Sequence, residues 1–301
     1  MLPFFCQSQI DTTYIKPFEN KFSLNTYLST KFISLEKEAH GEMKKFTPNT
    51  PLNLGLGVSI NNTIINLSYG YGLNFMRDKE KGRTKALDFQ IHNYGEKFVF
   101  DLFFQKYKGF YTSDDSDKNI ELYPDLDIQK YGAFGQYVFN HKKFSYKASF
   151  NQSERQLKSA GSYLLGGGVY FTKIASDSSF VYKSKNSITN FQFGLSGGYA
   201  HTWVINKRWF ASISTTIGVN FGTERINDFG KKKIEIYPTF FPRMSVGYNK
   251  ENWSVGLSYV NNFIFSSFSE NEINNVGLSS GNFQIVYIRR INSNPFINRK
   301  K

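Results

Sequence analysis

Leu52-Asn53-Leu54-Gly55-Leu56-Gly57-Val58-Ser59-Ile60 carries an apolar residue at every even position and a small or polar one at every odd position. Asn61-Asn62 interrupts the run. Ile65, Leu67, Tyr69, Tyr71, Leu73 and Phe75 then resume the alternation against Asn66, Ser68, Gly70, Gly72 and Asn74. Period two on both sides of a tight Asn-Asn turn predicts a β-hairpin with one greasy face and one polar face. The same signature recurs from about residue 22 to residue 291, in strands longer than those of most globular proteins. It predicts an all-β fold: a closed antiparallel transmembrane β-barrel of the bacterial outer-membrane type, with the apolar face toward lipid and the small, polar face lining the interior.

Composition agrees with this class. Aromatic residues make up 18% of the 301, with 31 Phe and 19 Tyr. Mean hydropathy is −0.42, and no run approaches the roughly 18 apolar residues of a membrane helix. Alternation dilutes average hydropathy, so neither value argues against a membrane barrel. No linker or composition shift divides the chain. Residues 10–301 read as one barrel domain, and residues 1–9 as the remnant of a secretory signal or a disordered N-terminus. Cys6 is the only cysteine, which excludes a disulfide framework, and Pro3-Phe4-Phe5 lacks the small residue expected before a lipidated cysteine.

Formal net charge is +13. A lysine-rich surface accounts for it, as do basic loops set against the phosphates of outer-membrane lipids, including lipopolysaccharide. Nucleic acid is not expected as a partner, because the charges are scattered and the aromatics follow strand spacing.

Along the chain, Phe22, Leu24, Leu28 and Phe32 mark a first strand, and Glu36–Lys45 reads as a charged loop. After the hairpin come Leu87, Phe89 and Ile91 against Asp88, Gln90 and His92, then Phe98, Phe100, Leu102 and Phe104. An acidic loop is expected over Ser113–Asp127, followed by strands through Tyr131–Phe139 and through Phe144, Tyr146, Ala148 and Phe150. Phe191–Trp203, Trp209–Phe221, a strand ending at Tyr248, Trp253–Tyr259 and Phe283–Tyr287 complete the series, with a basic loop at Lys231–Lys233. Breaks near 61, 95, 141, 206 and 250 are short; those near 40, 80, 120 and 270 are longer. Outer-membrane barrels have short periplasmic turns and longer outer loops, so both termini are expected in the periplasm. Trp203, Trp209 and Trp253 flank short turns, as an aromatic belt would. Seven strands before residue 153 and five from residue 189 leave zero or two for the intervening stretch. Gly166-Gly167 is a candidate hairpin turn there and Phe180-Val-Tyr182 a candidate partner, giving 14 strands in preference to 12.

Asp11-Thr-Thr-Tyr-Ile15, Phe46-Thr-Pro-Asn49 before Leu54-Gly-Leu-Gly57, and Gln156-Leu-Lys-Ser-Ala-Gly-Ser162 occur in that order. Together they resemble an uncharacterised outer-membrane β-barrel family of the Bacteroidota, defined only as a domain of unknown function. The resemblance implies secretion, a periplasmic N-terminus and an outer-membrane location. It transfers no catalytic residue.

Catalytic patterns are weak. Gly194-Leu-Ser-Gly-Gly198 matches a nucleophile elbow in letters but lies inside an alternating strand rather than at a strand-to-helix turn. Of the histidines, His40, His92, His141 and His201, none has metal-ligand spacing, and no phosphate-cradling loop is present. No catalytic residue, cofactor or metal is predicted. Lys31, Asp88, His92, Asp101, Lys147 and Glu235 fall at polar-face positions and are the candidate lumen-lining residues. The reading is a non-enzymatic barrel serving as a structural or accessory subunit of an envelope assembly, with other outer-membrane or periplasmic proteins as partners. A channel or transporter for small or hydrophobic solutes is the alternative, and a lipid hydrolase built on Ser196 and His201 comes third.

Overall fold

The structure is a computed structural model and describes residues 10–20, 22–39, 42–60, 63–65, 71–113, 119–177, 186–223, 234–267 and 276–291. In chain order the strands are β1 (Ile15–Pro17), β2 (Phe22–Ala39), β3 (Glu42–Phe46), β4 (Asn53–Ile60), β5 (Thr63–Ile65), β6 (Tyr71–Gly72), β7 (Lys85–Tyr94), β8 (Phe98–Ser113) and β9 (Ile120–Val138). After a π-helical turn (Lys147–Asn151) come β10 (Glu154–Gln156), β11 (Ala160–Ala175), β12 (Ser187–Ile205), β13 (Trp209–Thr223), β14 (Glu235–Asn249), β15 (Trp253–Ser267) and β16 (Val276–Ile291).

All pairings are antiparallel, in a 14-stranded sheet ordered β5-β4-β2-β16-β15-β14-β13-β12-β11-β9-β8-β7, with β3 against β2 and β6 against β4. The alternation read from the sequence sets the two faces. On β8, Val99, Asp101, Phe103, Gln105 and Tyr107 are buried, while Phe98, Phe100, Leu102 and Phe104 are exposed. The sheet curls until inner faces of distant strands touch. Ile33 and Leu35 of β2 share a cluster with Tyr107 of β8, Ile128 of β9, Ile174 of β11 and Leu278 of β16. The order begins at β5 and ends at β7, which are close in sequence, and no β5–β7 or β6–β7 pairing occurs among the described residues. The long strands, 15 to 19 residues, run about 50–60 Å at about 3.3 Å per residue. That exceeds the 9–11 residues a tilted strand needs to cross a bilayer.

Several expectations are corrected. The charged segment Glu36–Lys45 is the end of β2 and most of β3, a hairpin in which Glu36 faces Lys45. The acidic loop is shorter than expected, because β9 already starts at Ile120; Pro124 sits beside the bulge where the register steps between Lys108 and Phe110. Gly166-Gly167 is not a turn: β11 passes straight through, paired with β9 and β12. A Cβ on Gly166 would collide with the Gly135 carbonyl, and one on Gly167 with that of Gly194, so these glycines serve close strand approach. Phe144–Phe150 is not a strand. Phe144, Ser145, Tyr146, Ala148 and Ser149 are all buried, whereas a barrel stave leaves one face to its surroundings. The stretch 153–189 therefore contributes one long strand, β11, and the total of fourteen is reached through short β3 and β6. The expected Asn61-Asn62 turn, Phe180–Tyr182, Lys231–Lys233, His40 and residues 1–9 lie outside the described residues.

The segment between β9 and β11 enters the interior at the short-turn end and forms a plug. Tyr94 of β7 stacks on Tyr146 and Phe150, with ring centres 5.9 and 5.4 Å apart. Tyr146 Oη lies 2.6 Å from Ser214 Oγ of β13, Ser149 Oγ lies 2.9 Å from Thr202 Oγ1 of β12, and Arg290 Nη2 of β16 donates to the Gln152 carbonyl at 2.6 Å. β1 pairs with β10, Ile15 opposite Gln156. The Gln156 side chain accepts from Ser145 N (3.1 Å) and donates to the carbonyls of Lys143 (2.6 Å) and Lys158 (3.0 Å). The Glu154 carboxylate accepts from Ser145 Oγ.

Gln156→Leu removes one buried and two part-buried hydrogen bonds while keeping apolar bulk, at about 1–3 kcal/mol for each buried backbone group left unpaired. It is expected to open residues 143–158 to limited proteolysis while the sheet stays folded. Burial pushes the Glu154 carboxyl up from its ordinary value, with Ser145 and Lys147 pulling the other way. A carboxyl raised on folding favours the docked state below its free value, and that advantage is lost as pH rises through the shifted value. Protease protection of the plug should therefore fall as pH rises above the ordinary carboxylate range, and Glu154→Gln should flatten the profile.

Candidate functional site

The interior gathers the charges that strand parity turns inward. Asp101 (β8) and Arg243 (β14) are 0% and 1% exposed. Both Arg243 terminal nitrogens donate to the Asp101 carboxylate, Nη1 at 3.5 Å and Nη2 at shorter range. His92 Nδ1 lies 2.6 Å from Asp101 Oδ1. An ionised carboxylate only accepts, so Nδ1 carries the hydrogen; Nε2 is buried and unpartnered among the described residues. The Arg243 guanidinium sits 6.0 Å from the centre of the Tyr94 ring. Phe103, Phe134, Tyr170, Phe241 and Ile264 pack as one buried cluster in the same interior.

A second group lies nearby. Asp88 accepts from the Tyr107 hydroxyl, from Gln105 Nε2 at 2.9 Å and from Gln90 Nε2 at 3.0 Å. Lys31 Nζ donates to the Asp88 carbonyl at 3.2 Å. Lys130 Nζ contacts Ser280 Oγ at 2.5 Å and lies 5.0 Å from the Phe103 ring centre. Two cavities, about 1090 and 320 Å³, share Tyr27, Ser29, Lys31, Gln90 and Ile91 in their walls; His92, Tyr94 and Phe150 line only the smaller.

The structure thus brings Lys31, Asp88, His92 and Asp101 to one side of the interior. Glu235 stands apart at the start of β14, where it accepts from Tyr237 Oη. Lys147 is corrected: it begins the π-helical turn of the plug rather than lying on a strand. Arg243 and Lys130 were missed. A lone arginine between Phe240-Phe241-Pro242 and Met244, at the inward parity of Tyr237 and Phe241, was the available signal, because a charged side chain is almost never fully buried unless it is paired. Ser196 and His201 are not brought together: an odd separation on β12 puts them on opposite faces, with Ser196 buried inside. Trp203 and Trp209 face outward. Trp209, Tyr248, Trp253 and Tyr287 form a continuous row across β13–β16, with ring centres 4.8, 5.5 and 6.3 Å apart.

The chain belongs to the family described as a domain of unknown function (DUF4421), which matches residues 9–289. This agrees with the resemblance read from the three motifs. No curated protein matches the chain. Among solved structures, the outer membrane protease OmpT from Escherichia coli is 7% identical, covering 91% of this chain and 97% of its own at a TM-score of 0.36. OmpT of Vibrio cholerae is 8% identical, covering 92% and 100% at 0.30. The P. putida toluene transporter TodX is 9% identical, covering 92% and 91% at 0.28. Similarity this distant carries no activity across.

Arg243→Met leaves Asp101 buried with its main countercharge gone, a loss of about 3–5 kcal/mol. Arg243→Met combined with Asp101→Leu should recover much of it. Unfolding midpoints of Arg243→Met, Asp101→Leu and the double variant in denaturant, compared in a double-mutant cycle, check the coupling.

Proposed function

We propose that this DUF4421 protein is a closed β-barrel of a bacterial outer membrane with an occupied lumen, acting without catalysis as a structural or accessory subunit of an envelope assembly. The uncovered apolar outer face carries the membrane reading. Leu195, Leu56, Phe89 and Ile217 are 74%, 67%, 63% and 63% exposed, and comparable side chains recur on strand after strand. Apolar patches on water-soluble monomers rarely exceed a few hundred Å². Lipid is the solvent that suits such a face, and in lipid an open sheet edge is untenable, which supports closure between β7 and the β5–β6 side. The outward Trp–Tyr row lies at the short-turn end, as an interfacial belt does. Short turns at that end support a periplasmic plug and periplasmic termini.

The Asp101–Arg243 bridge, the aromatic cluster beside it and the plug support a lumen filled rather than open. The cavity of about 1090 Å³ beside β7 favours the second reading, passage of a small or hydrophobic solute. The outer-membrane lipids, lipopolysaccharide included, are the proposed surroundings, with further envelope proteins as the proposed partners.

Planar-bilayer recording of the refolded, heat-modifiable protein is expected to give no steady conductance. A steady conductance that changes on Asp101→Asn would overturn the filled lumen in favour of the channel. Extraction of the native protein in mild detergent is expected to bring other envelope proteins with it, and a clean monomer would contradict the accessory role.

A further inference from the structure

An arc of exposed cations borders the short-turn end of the sheet: Lys142 and Lys143 before the plug, Lys158 after it, Lys207 and Arg208 between β12 and β13, and Lys250 between β14 and β15. Printed contacts make the arc continuous along the rim. Asp11 N donates to the Lys142 carbonyl at 3.0 Å, and Gln156 Nε2 joins the carbonyls of Lys143 and Lys158. Val204 N donates to Ser159 Oγ at 2.9 Å, and Asn249 N to the Arg208 carbonyl at 2.9 Å.

None of the six forms an ion pair among the described residues. The acids at this end are engaged elsewhere. Asp11 accepts from Thr13 N at 3.0 Å and Thr13 Oγ1 at 2.7 Å, and attracts Lys143 and Lys158 only from beyond ion-pair contact. Glu19 lies 3.9 Å from Lys16, Glu251 accepts from Arg155 at 3.0 Å, and Glu154 is turned inward to Ser145. Glu96, beside Lys97, is the other carboxylate described there. Cations gathered on one face repel one another, so an anionic occupant stabilises the arrangement. The β12–β13 turn adds a second observation. Asn206 and Lys207, at its centre, have φ of +51° and +57°. Such backbone favours asparagine and glycine; Lys207 keeps a cation there at a conformational cost, as strained residues at functional surfaces do.

Lipid headgroups and an acidic protein both carry the complementary charge, and position distinguishes them. Trp209 and Trp253 mark the headgroup level on the outer wall. Lys250, 5.2 Å from the centre of the Trp253 ring, reaches that level. Lys143 and Lys158 instead lie over the Tyr14 ring, at 5.2 and 5.1 Å, where the two ends of the plug meet the N-terminal segment. The plug fills the lumen mouth, and no bilayer covers a lumen mouth. An occupant that spans it reaches both groups of cations.

We infer that the plugged end of the barrel is a docking surface for an acidic protein segment on the aqueous side, held across the mouth by the cations of this arc. The inference deepens the accessory-subunit reading and rests on it. Complementarity of this kind governs association rate and partner choice, and it weakens as salt rises.

The test uses the full chain in phosphatidylcholine nanodiscs. A fluorescent peptide of alternating Glu and Ser is the probe, and its Gln-Ser counterpart the control. The acidic peptide should bind and the neutral one should not, with affinity falling as salt rises. Lys142→Glu/Lys143→Glu/Lys158→Glu should weaken binding at least tenfold, and Lys207→Glu/Arg208→Glu should weaken it as well. Lys79→Glu/Arg83→Glu/Lys85→Glu, the same change in net charge at the opposite end, should leave it unchanged. Heat-modifiable migration checks that each variant folds, and Lys→Gln versions replace any reversal that does not. Equal loss in the two triple variants, or binding of the neutral peptide, would overturn the surface. Binding abolished in phosphatidylglycerol nanodiscs would overturn a protein as the occupant, because headgroups would then be neutralising the arc. Native extraction separates this inference from the reading beneath it. A plug-end triple variant that keeps every protein co-extracted with the wild type defeats only the docking surface, whereas a wild type that brings none defeats the accessory role.

Discussion

Arg243 reaches from β14 to Asp101 on β8, and the curl of the sheet has to bring those two residues together. Neither side chain is accessible to solvent. A carboxylate and a guanidinium removed from water each carry a large desolvation cost, which mutual attraction and complete hydrogen bonding must offset. Asp101 meets that demand by accepting from His92 as well as Arg243, and Arg243 by lying near the Tyr94 ring. The bridge is geometrically exacting, so it fixes the distance between opposite walls. Around it the interior is packed as a core: Phe134 meets Phe241 edge to face, with ring centres 4.7 Å apart. A wider, water-filled barrel would let these charges be solvated and would not need the match.

The three motif groups that carry the family resemblance build two structural devices. Asp11-Thr-Thr-Tyr-Ile15 and Gln156–Ser162 meet at the plug. Asp11 Oδ1 accepts from Thr13 N at 3.0 Å, Leu157 N donates to the Tyr14 carbonyl at 2.7 Å, and Lys143 and Lys158 lie over the Tyr14 ring at 5.2 and 5.1 Å. Ser162 Oγ and the Gly161 carbonyl both accept from Asn140, at 2.9 and 2.8 Å. Phe46-Thr-Pro-Asn49 works near the other end: Phe46 is buried in the core, Thr47 bridges to Tyr111, and Asn49 clasps the loop before β7. Both devices hold irregular backbone against the sheet, where a donor without an acceptor would be costly.

Most strand positions and their facing were legible because period two leaves a mark that burial confirms, although Asn74–Met76, at the end of the alternation from Ile65 to Phe75, is a 3-10 turn rather than strand. Leu195 is exposed and Ser196 buried; Phe100 is exposed and Asp101 buried. The plug was not legible. Phe144, Tyr146, Ala148 and Phe150 also alternate, but Ser145 and Ser149 between them are buried as well, and no local pattern distinguishes a stave from a segment packed inside. The triple glycine of β11 misled for a related reason: glycine marks tight turns and close strand contacts alike. In the interior, Asp101 and His92 could be found by parity on their own strands. Arg243, the partner of Asp101, lies 142 residues further along the chain, and only the curl of the sheet joins them.

Spin-label accessibility along β13 tests the account most directly, because it reads both faces of one strand. In a Cys6→Ser background, labels at Ile213, Ile217 and Val219 should be reached by oxygen from the lipid phase and shielded from a water-soluble nickel chelate. Labels at Ser214 and Thr216 should be shielded from both, as expected for a lipid-facing strand on a filled lumen. Chelate access at Ser214 and Thr216 would mean a water-filled pore, and chelate access at Ile213 and Ile217 would mean that the apolar face does not meet lipid.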